Sequence, residues 1–159
     1  DFSEKNYASI EALNQILKRI IFPKQFSKNE QFKIEQEDYF FLRYWMSRTP
    51  NEVTIPFYDR ETFFDSYGKF FIYGDKKGEM TNTTRIYNKV GLAYGTTTDV
   101  AYVKDRNGIE FFLTATILTN KNEIFNDNNY EYDQLGIPFL AALGREIYQF
   151  EKNKNLLEN

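Results

Sequence analysis

The chain has 159 residues, 42% of them hydrophobic and 27% charged, enough for one buried core and with no sign of a second domain boundary. Its net charge of -3 comes from Lys and Arg scattered among acids, so no basic stripe exists to neutralise phosphates and nucleic acid is not an expected partner. The absence of Cys and His excludes disulfides, thiolate zinc sites and an imidazole base, leaving Lys, Tyr, Asp or Glu to move protons.

In chain order, Ile10, Leu13, Leu17, Ile20 and Ile21 recur at helical spacing, which predicts an amphipathic helix over 7–21 that Pro23 ends. A second helix is predicted over 37–47, carrying Phe41, Leu42, Trp45 and Met46, with acids in its first turn and Arg48 near its end to suit the macrodipole. Asp59 can cap a short helix reaching Tyr67, and Gly68 allows a break into an extended run over 69–73. A polar stretch over 74–84 then leads into strand-like residues 84–88.

Residues 100–105 and 109–118 alternate as two strands around Arg106-Asn107-Gly108, a turn in which Asn-Gly can supply positive φ. The second of these strands reads as apolar on both faces. The segment 120–133 is rich in Asn and acids but lacks the spacing of an EF-hand loop, so an ordered loop is expected there and no metal or cofactor. Pro138 opens a last helix whose stripe of Phe139, Leu140, Leu143, Ile147 and Phe150 should cover the sheet, and the polar tail over 152–159 is expected to fray. The aromatic content of 18%, with 16 Phe and 12 Tyr, predicts a ring-rich core. No apolar run approaches the roughly eighteen residues of a membrane span. The fold class expected is α+β, an antiparallel sheet of four segments starting near Lys69, Lys89, Val100 and Ile109 packed by N-terminal helices and the C-terminal helix.

The stretch with most chemical content is Lys89-Val90-Gly91, followed by Leu92-Ala93-Tyr94-Gly95-Thr96-Thr97-Thr98-Asp99. A lysine at a strand end can hold a carboxylate, and a backbone N–H beyond the glycine can donate to a developing oxyanion. Two candidate nucleophile motifs fail on context. Ser66-Tyr67-Gly68-Lys69 precedes a strand-like run rather than opening a helix that would put Ser and Lys on one face, and Ser27-Lys28-Asn29 is an isolated match.

The K-V-G and Y-G-T-T-T-D pattern resembles the Lys-Thr-Gly element of class A β-lactamases and other penicillin-recognising serine hydrolases. With Phe40-Phe41-Leu42-Arg43-Tyr44-Trp45-Met46-Ser47, Lys69-Phe70-Phe71-Ile72-Tyr73-Gly74-Asp75 and Gly136-Ile137-Pro138-Phe139-Leu140, residues 9–151 resemble the C-terminal half of a β-lactamase-like hydrolase group of Bacteroidetes. The resemblance implies a single partial domain over 1–159, with the nucleophilic Ser-x-x-Lys and the Ser-x-Asn upstream of Asp1. It implies that Lys89, Val90, Gly91 and Tyr94 line a substrate site for a small molecule or peptide bearing a carboxylate. In the same scheme Leu92 supplies the backbone oxyanion donor. Asp99 could reach toward the site, but as an acid after a Gly-Thr-Thr turn it is expected to accept backbone N–H bonds and hold the loop. Val90 departs from the family, which has a hydroxyl residue there, and so leaves open a non-catalytic binding or assembly module on the same fold. The resemblance further implies a periplasmic or envelope location and acyl transfer on a peptidoglycan-type or other amide or ester. Residues 109–118 would be an interior strand completed by the missing N-terminal half or a second copy.

Overall fold

The computed structural model describes residues 7–78, 80–81 and 83–158. Glu79 and Asn82 of the polar stretch, and Asn159 of the tail, lie outside the described residues. Helix α1 spans Ile10–Ile21, with the Ser9 hydroxyl accepting from the Ala12 amide at 3.1 Å as its N-cap. Helix α2 spans Gln36–Ser47, and its first turn is closed by the Asp38 carboxylate accepting from the Glu35 amide at 2.9 Å. Strands β1 (Thr84–Ala93), β2 (Thr96–Asp105) and β3 (Glu110–Leu118) follow, then helix α4 (Ile137–Glu158), with a short broken turn α3 (Phe70–Tyr73) before β1.

The architecture is α+β, as the hydrophobic pattern implies, but the sheet has three strands in the order β1-β2-β3, all antiparallel. The 69–73 segment, expected as a strand, is not one. Phe71 has extended angles and Ile72 has φ 72°, and the segment is buried between the sheet and α4. Its amides look elsewhere for partners: Phe71 N–H donates to the Asp99 carboxylate at 3.2 Å instead of to a neighbouring strand. The β-branched and aromatic signature of Phe-Phe-Ile-Tyr is satisfied by burial alone, and tertiary contacts override it.

The sheet carries one core on each face. Toward α4, Phe70, Phe71, Ile86, Ala101, Val103 and Leu140 pack together; toward α1, Leu17, Ile21, Val100 and Tyr102 do so, with Phe22 set edge-on to Tyr102 at 5.3 Å. The buried side of α4 is Leu140, Ala141 and Gly144, whereas Phe139 and Phe150 of the expected stripe are 45% and 63% exposed. Gly144 explains the shift, because a Cβ there would lie 2.5 Å from the Ile72 nitrogen, so the helix approaches α3 at the glycine and large side chains are turned outward. The helix also continues through the polar tail to Glu158. On α2, Phe41 and Trp45 are likewise 59% and 44% exposed, while Tyr39 and Ser47 are buried. Asp59 behaves as a cap, accepting from the Thr62 amide at 3.0 Å, but the residues after it form turns rather than a helix.

Both hairpins close tightly. Tyr94 and Gly95, with φ of 51° and 85°, make the two-residue link between β1 and β2 that positive φ at both positions favours. The β2–β3 turn uses positive φ at Gly108 alone, and Asp105 organises it by accepting from the Asn107 amide at 2.5 Å and from the Tyr148 hydroxyl of α4 at 2.6 Å. Strand β3 lies at a sheet edge with its middle residues half-buried and Glu110, Thr116 and Leu118 exposed, rather than buried on both faces. Among the described residues no helix is long and apolar enough to cross a membrane.

The positive φ of a buried β-branched residue costs on the order of 1–3 kcal/mol. At Ile72 it is held by Arg145, whose guanidinium donates to the Ile72 carbonyl at 2.8 Å and binds Asp75 through two 2.8 Å bonds. Gly144→Ala should therefore destabilise the fold by about 1–3 kcal/mol through overpacking, read as a lower urea midpoint. An unchanged midpoint would show that α4 and α3 do not approach as closely as described.

Candidate functional site

Alternation along β1 divides its side chains between the two faces of the sheet. Ile86 and Val90 pack on the α4 side and Tyr87 on the α1 side, which assigns Asn88 and Leu92 to the first face and Lys89 and Gly91 to the second. The K-V-G segment pairs with β2 as Lys89 to Val100, Val90 to Asp99 and Gly91 to Thr98. The two segments thus lie side by side in one sheet, with β1 at its edge. One row of the β1 backbone N–H and C=O groups consequently points away from β2.

The predicted residues are close in chain but do not all face one cleft. Val90 and Leu92 line a cavity of about 610 Å³ with Ser66, Tyr67, Gly68 and Ile137, while Lys89, Gly91 and Tyr94 are not among its lining residues. Lys89 is exposed and its ammonium donates to the Val90 carbonyl at 2.7 Å. Tyr94 occupies the hairpin tip, where the adjoining Gly95 amide donates to the Tyr132 hydroxyl at 2.7 Å.

Asp99 lies in β2, not in a turn, and is fully buried. It does accept a backbone N–H, from Phe71 rather than from its own loop, and its second oxygen accepts from the Asn88 side-chain amide at 2.9 Å. Asn88 also donates to the Gly68 carbonyl at 2.8 Å. Its own side-chain oxygen accepts from the Lys69 ammonium at 2.8 Å, and that ammonium further donates to the carbonyls of Met46 at 2.7 Å and Ile86 at 3.0 Å. Three donors on Lys69 and only donors around Asp99 are the pattern of an ammonium and a carboxylate bridged by an amide.

Nothing in the sequence marks this bridge as a unit, because its members are 11 and 19 residues apart in the chain. The available signal was a single lysine embedded in Gly68-Lys69-Phe70-Phe71-Ile72, where a charge amid apolar residues requires buried partners. Ser66 and Lys69 do not act together: the Lys69 amide donates to the Ser66 carbonyl at 2.9 Å, but the Ser66 hydroxyl donates to the Lys76 carbonyl. Ser27 instead holds Glu30 at 2.6 Å in an exposed turn. Among the described residues no group of three or more Asp or Glu side chains is arranged to hold a metal ion.

No family model matches the chain, and neither a curated protein nor a solved structure matches it.

Burial sets the titration of the bridge. It pushes the Asp99 carboxyl up to about 7, against the hydrogen bonds from Asn88 and Phe71 and the charge of Lys69. It pulls the Lys69 ammonium down to about 8, against the attraction of Asp99. Relative to an unfolded carboxyl near 3.9, folded Asp99 binds the extra proton, so its contribution to stability falls as pH rises from about 4 to 7. Folded Lys69 binds fewer protons than the unfolded chain, so its contribution rises from about pH 8 to 10.5. Urea unfolding across pH should show both slopes, with Asp99→Asn abolishing the first and Lys69→Met the second. Near neutral pH, Lys69→Met should cost about 3–5 kcal/mol by leaving buried acceptors unpaired, and the Lys69→Met, Asp99→Asn pair should cost less than the sum of its parts. Additive costs would mean the two charges do not sense each other through Asn88.

Proposed function

We propose that this chain is the C-terminal portion of a β-lactamase-related serine hydrolase, forming the K-x-G wall of a site whose nucleophile lies elsewhere in the parent. The observation that carries this reading is the pairing of Lys89-Val90-Gly91 with β2 at a free sheet edge. There, extended substrate can add alongside Gly91, whose Cβ position is open with nothing within 4 Å. The Lys89 ammonium, bonded only to a neighbouring carbonyl in the contacts described, would hold the substrate carboxylate, and the Leu92 backbone N–H would donate to the oxyanion. Tyr94 would form the rim and Asp99 the support beneath the strand. The reaction would be acyl transfer on a peptidoglycan-type or other amide or ester, in the periplasm or cell envelope.

A second reading is favoured by one residue. Val90 stands where a hydroxyl would help bind the carboxylate, and its side chain belongs to an apolar cavity, which suits a non-catalytic envelope binding or assembly module on the same fold. A β-lactam or fluorophosphonate probe on the intact parent distinguishes the two. Hydrolase function requires covalent labelling of one serine, with Lys89→Ala slowing labelling by the carboxylate-bearing β-lactam by about tenfold or more, as expected for loss of a charge-assisted hydrogen bond worth about 1.5–3 kcal/mol. Absence of labelling on a folded parent favours the binding module.

The same reading makes β3 the place where the sheet is completed, by the parent's N-terminal half or by a second copy. Its outward-facing backbone and exposed Leu118 give such a partner an edge to pair with. Association should protect the 110–118 amides from hydrogen exchange; a monomer in solution scattering with those amides exchanging freely would end the idea.

A further inference from the structure

The cavity shared by Val90 and Leu92 has walls of two kinds. Phe70, Val90, Leu92 and Ile137 give it apolar lining, and Phe64 and Tyr67 stand edge-to-face with ring centroids 5.9 Å apart. Three charged side chains, Asp75, Lys77 and Asp133, also line it. Asp75 is already neutralised by Arg145. Lys77 sits 5.8 Å from the centre of the Phe64 ring, and among the described residues neither its ammonium nor the Asp133 carboxylate has an ion-pair partner. One cation and one anion are thus left at a largely apolar cavity whose volume of about 610 Å³ lies within the range of small-molecule sites.

We propose that this cavity binds a zwitterionic α-amino acid with a large apolar side chain. The side chain would lie among Val90, Leu92 and Ile137, the carboxylate at Lys77 and the ammonium at Asp133. A ligand with one charge leaves one of these groups unpaired, and a ligand without an apolar body leaves the lining wet. The close approach of Gly144 to Ile72 and the bridge from Lys69 to Asp99 fix the 66–72 wall before any ligand arrives, so little ordering opposes binding. The cavity would take this ligand whether or not the parent carries out acyl transfer.

The test is a titration of the 159-residue chain with L- and D-phenylalanine followed by amide correlation spectra, with phenylacetate and phenethylamine as probes that keep one charge each. Phenylalanine should produce saturable shifts at the amides of Tyr67, Gly68 and Leu92 and bind more tightly than either probe. Lys77→Ala should weaken phenylalanine binding by about two- to fivefold, the loss typical of a solvent-facing ion pair, without affecting phenethylamine. Asp133→Asn should do the same without affecting phenylacetate. The proposal is overturned if no saturable shift appears at those amides, if shifts are confined to the exposed α2 rings, or if either variant leaves phenylalanine binding unchanged.

Discussion

The buried Lys69 ammonium is the constraint around which the rest of the molecule is arranged. A charge removed from water must be surrounded by acceptors, and here three of them come from two separate elements: the end of α2 through Met46, and β1 through Ile86 and Asn88. Asn88 passes the demand on to Asp99 in β2, and Asp99 passes it back to the Phe71 amide beside Lys69. The loop closed in this way ties α2, the 66–72 segment and two strands to one another with a geometry that apolar packing alone would leave loose. Because the ammonium and carboxylate are each costly to bury, misplacement of any one element leaves an unpaired charge, so the bridge contributes registry as much as stability.

Its position matters because Asn88 immediately precedes Lys89. The residue that locks β1 from beneath is adjacent to the residues proposed to meet substrate, and the strand is further anchored at its start by Arg85, which grips Glu52 through bonds of 2.7 and 2.8 Å. An edge strand exchanging hydrogen bonds on only one side would otherwise be among the more deformable parts of a sheet. The anchoring makes β1 a firm platform, which is what a binding edge needs for its donors to be aimed before a partner arrives.

Much of the fold was legible because periodicity reports burial. Leu17 and Ile21 at helical spacing, and the Gly108 turn between two alternating runs, are plain in the sequence because each signal is local and needs no knowledge of the rest of the chain. The 69–73 segment was not legible, because its partners are Asn88, Asp99 and Arg145, between 19 and 73 residues away in the chain by the separations of the bonds that hold it. The stripe on α4 was half legible for a similar reason. Pattern picks out large apolar residues, but the closest contact of that helix is made where a side chain is missing, at Gly144. For the candidate site, the sequence shows 84–88 as strand-like but not that the K-V-G residues lie on opposite faces of the same strand, since the identity of a residue does not reveal which way the pleat turns it.

That division of β1 has a corollary. Substitution at its even-numbered positions alters the side of the sheet that faces α4, while substitution at its odd-numbered positions alters the side that faces α1, and the backbone row at the edge is untouched by either. One face of this strand can therefore be altered in sequence without disturbing what packs on the other.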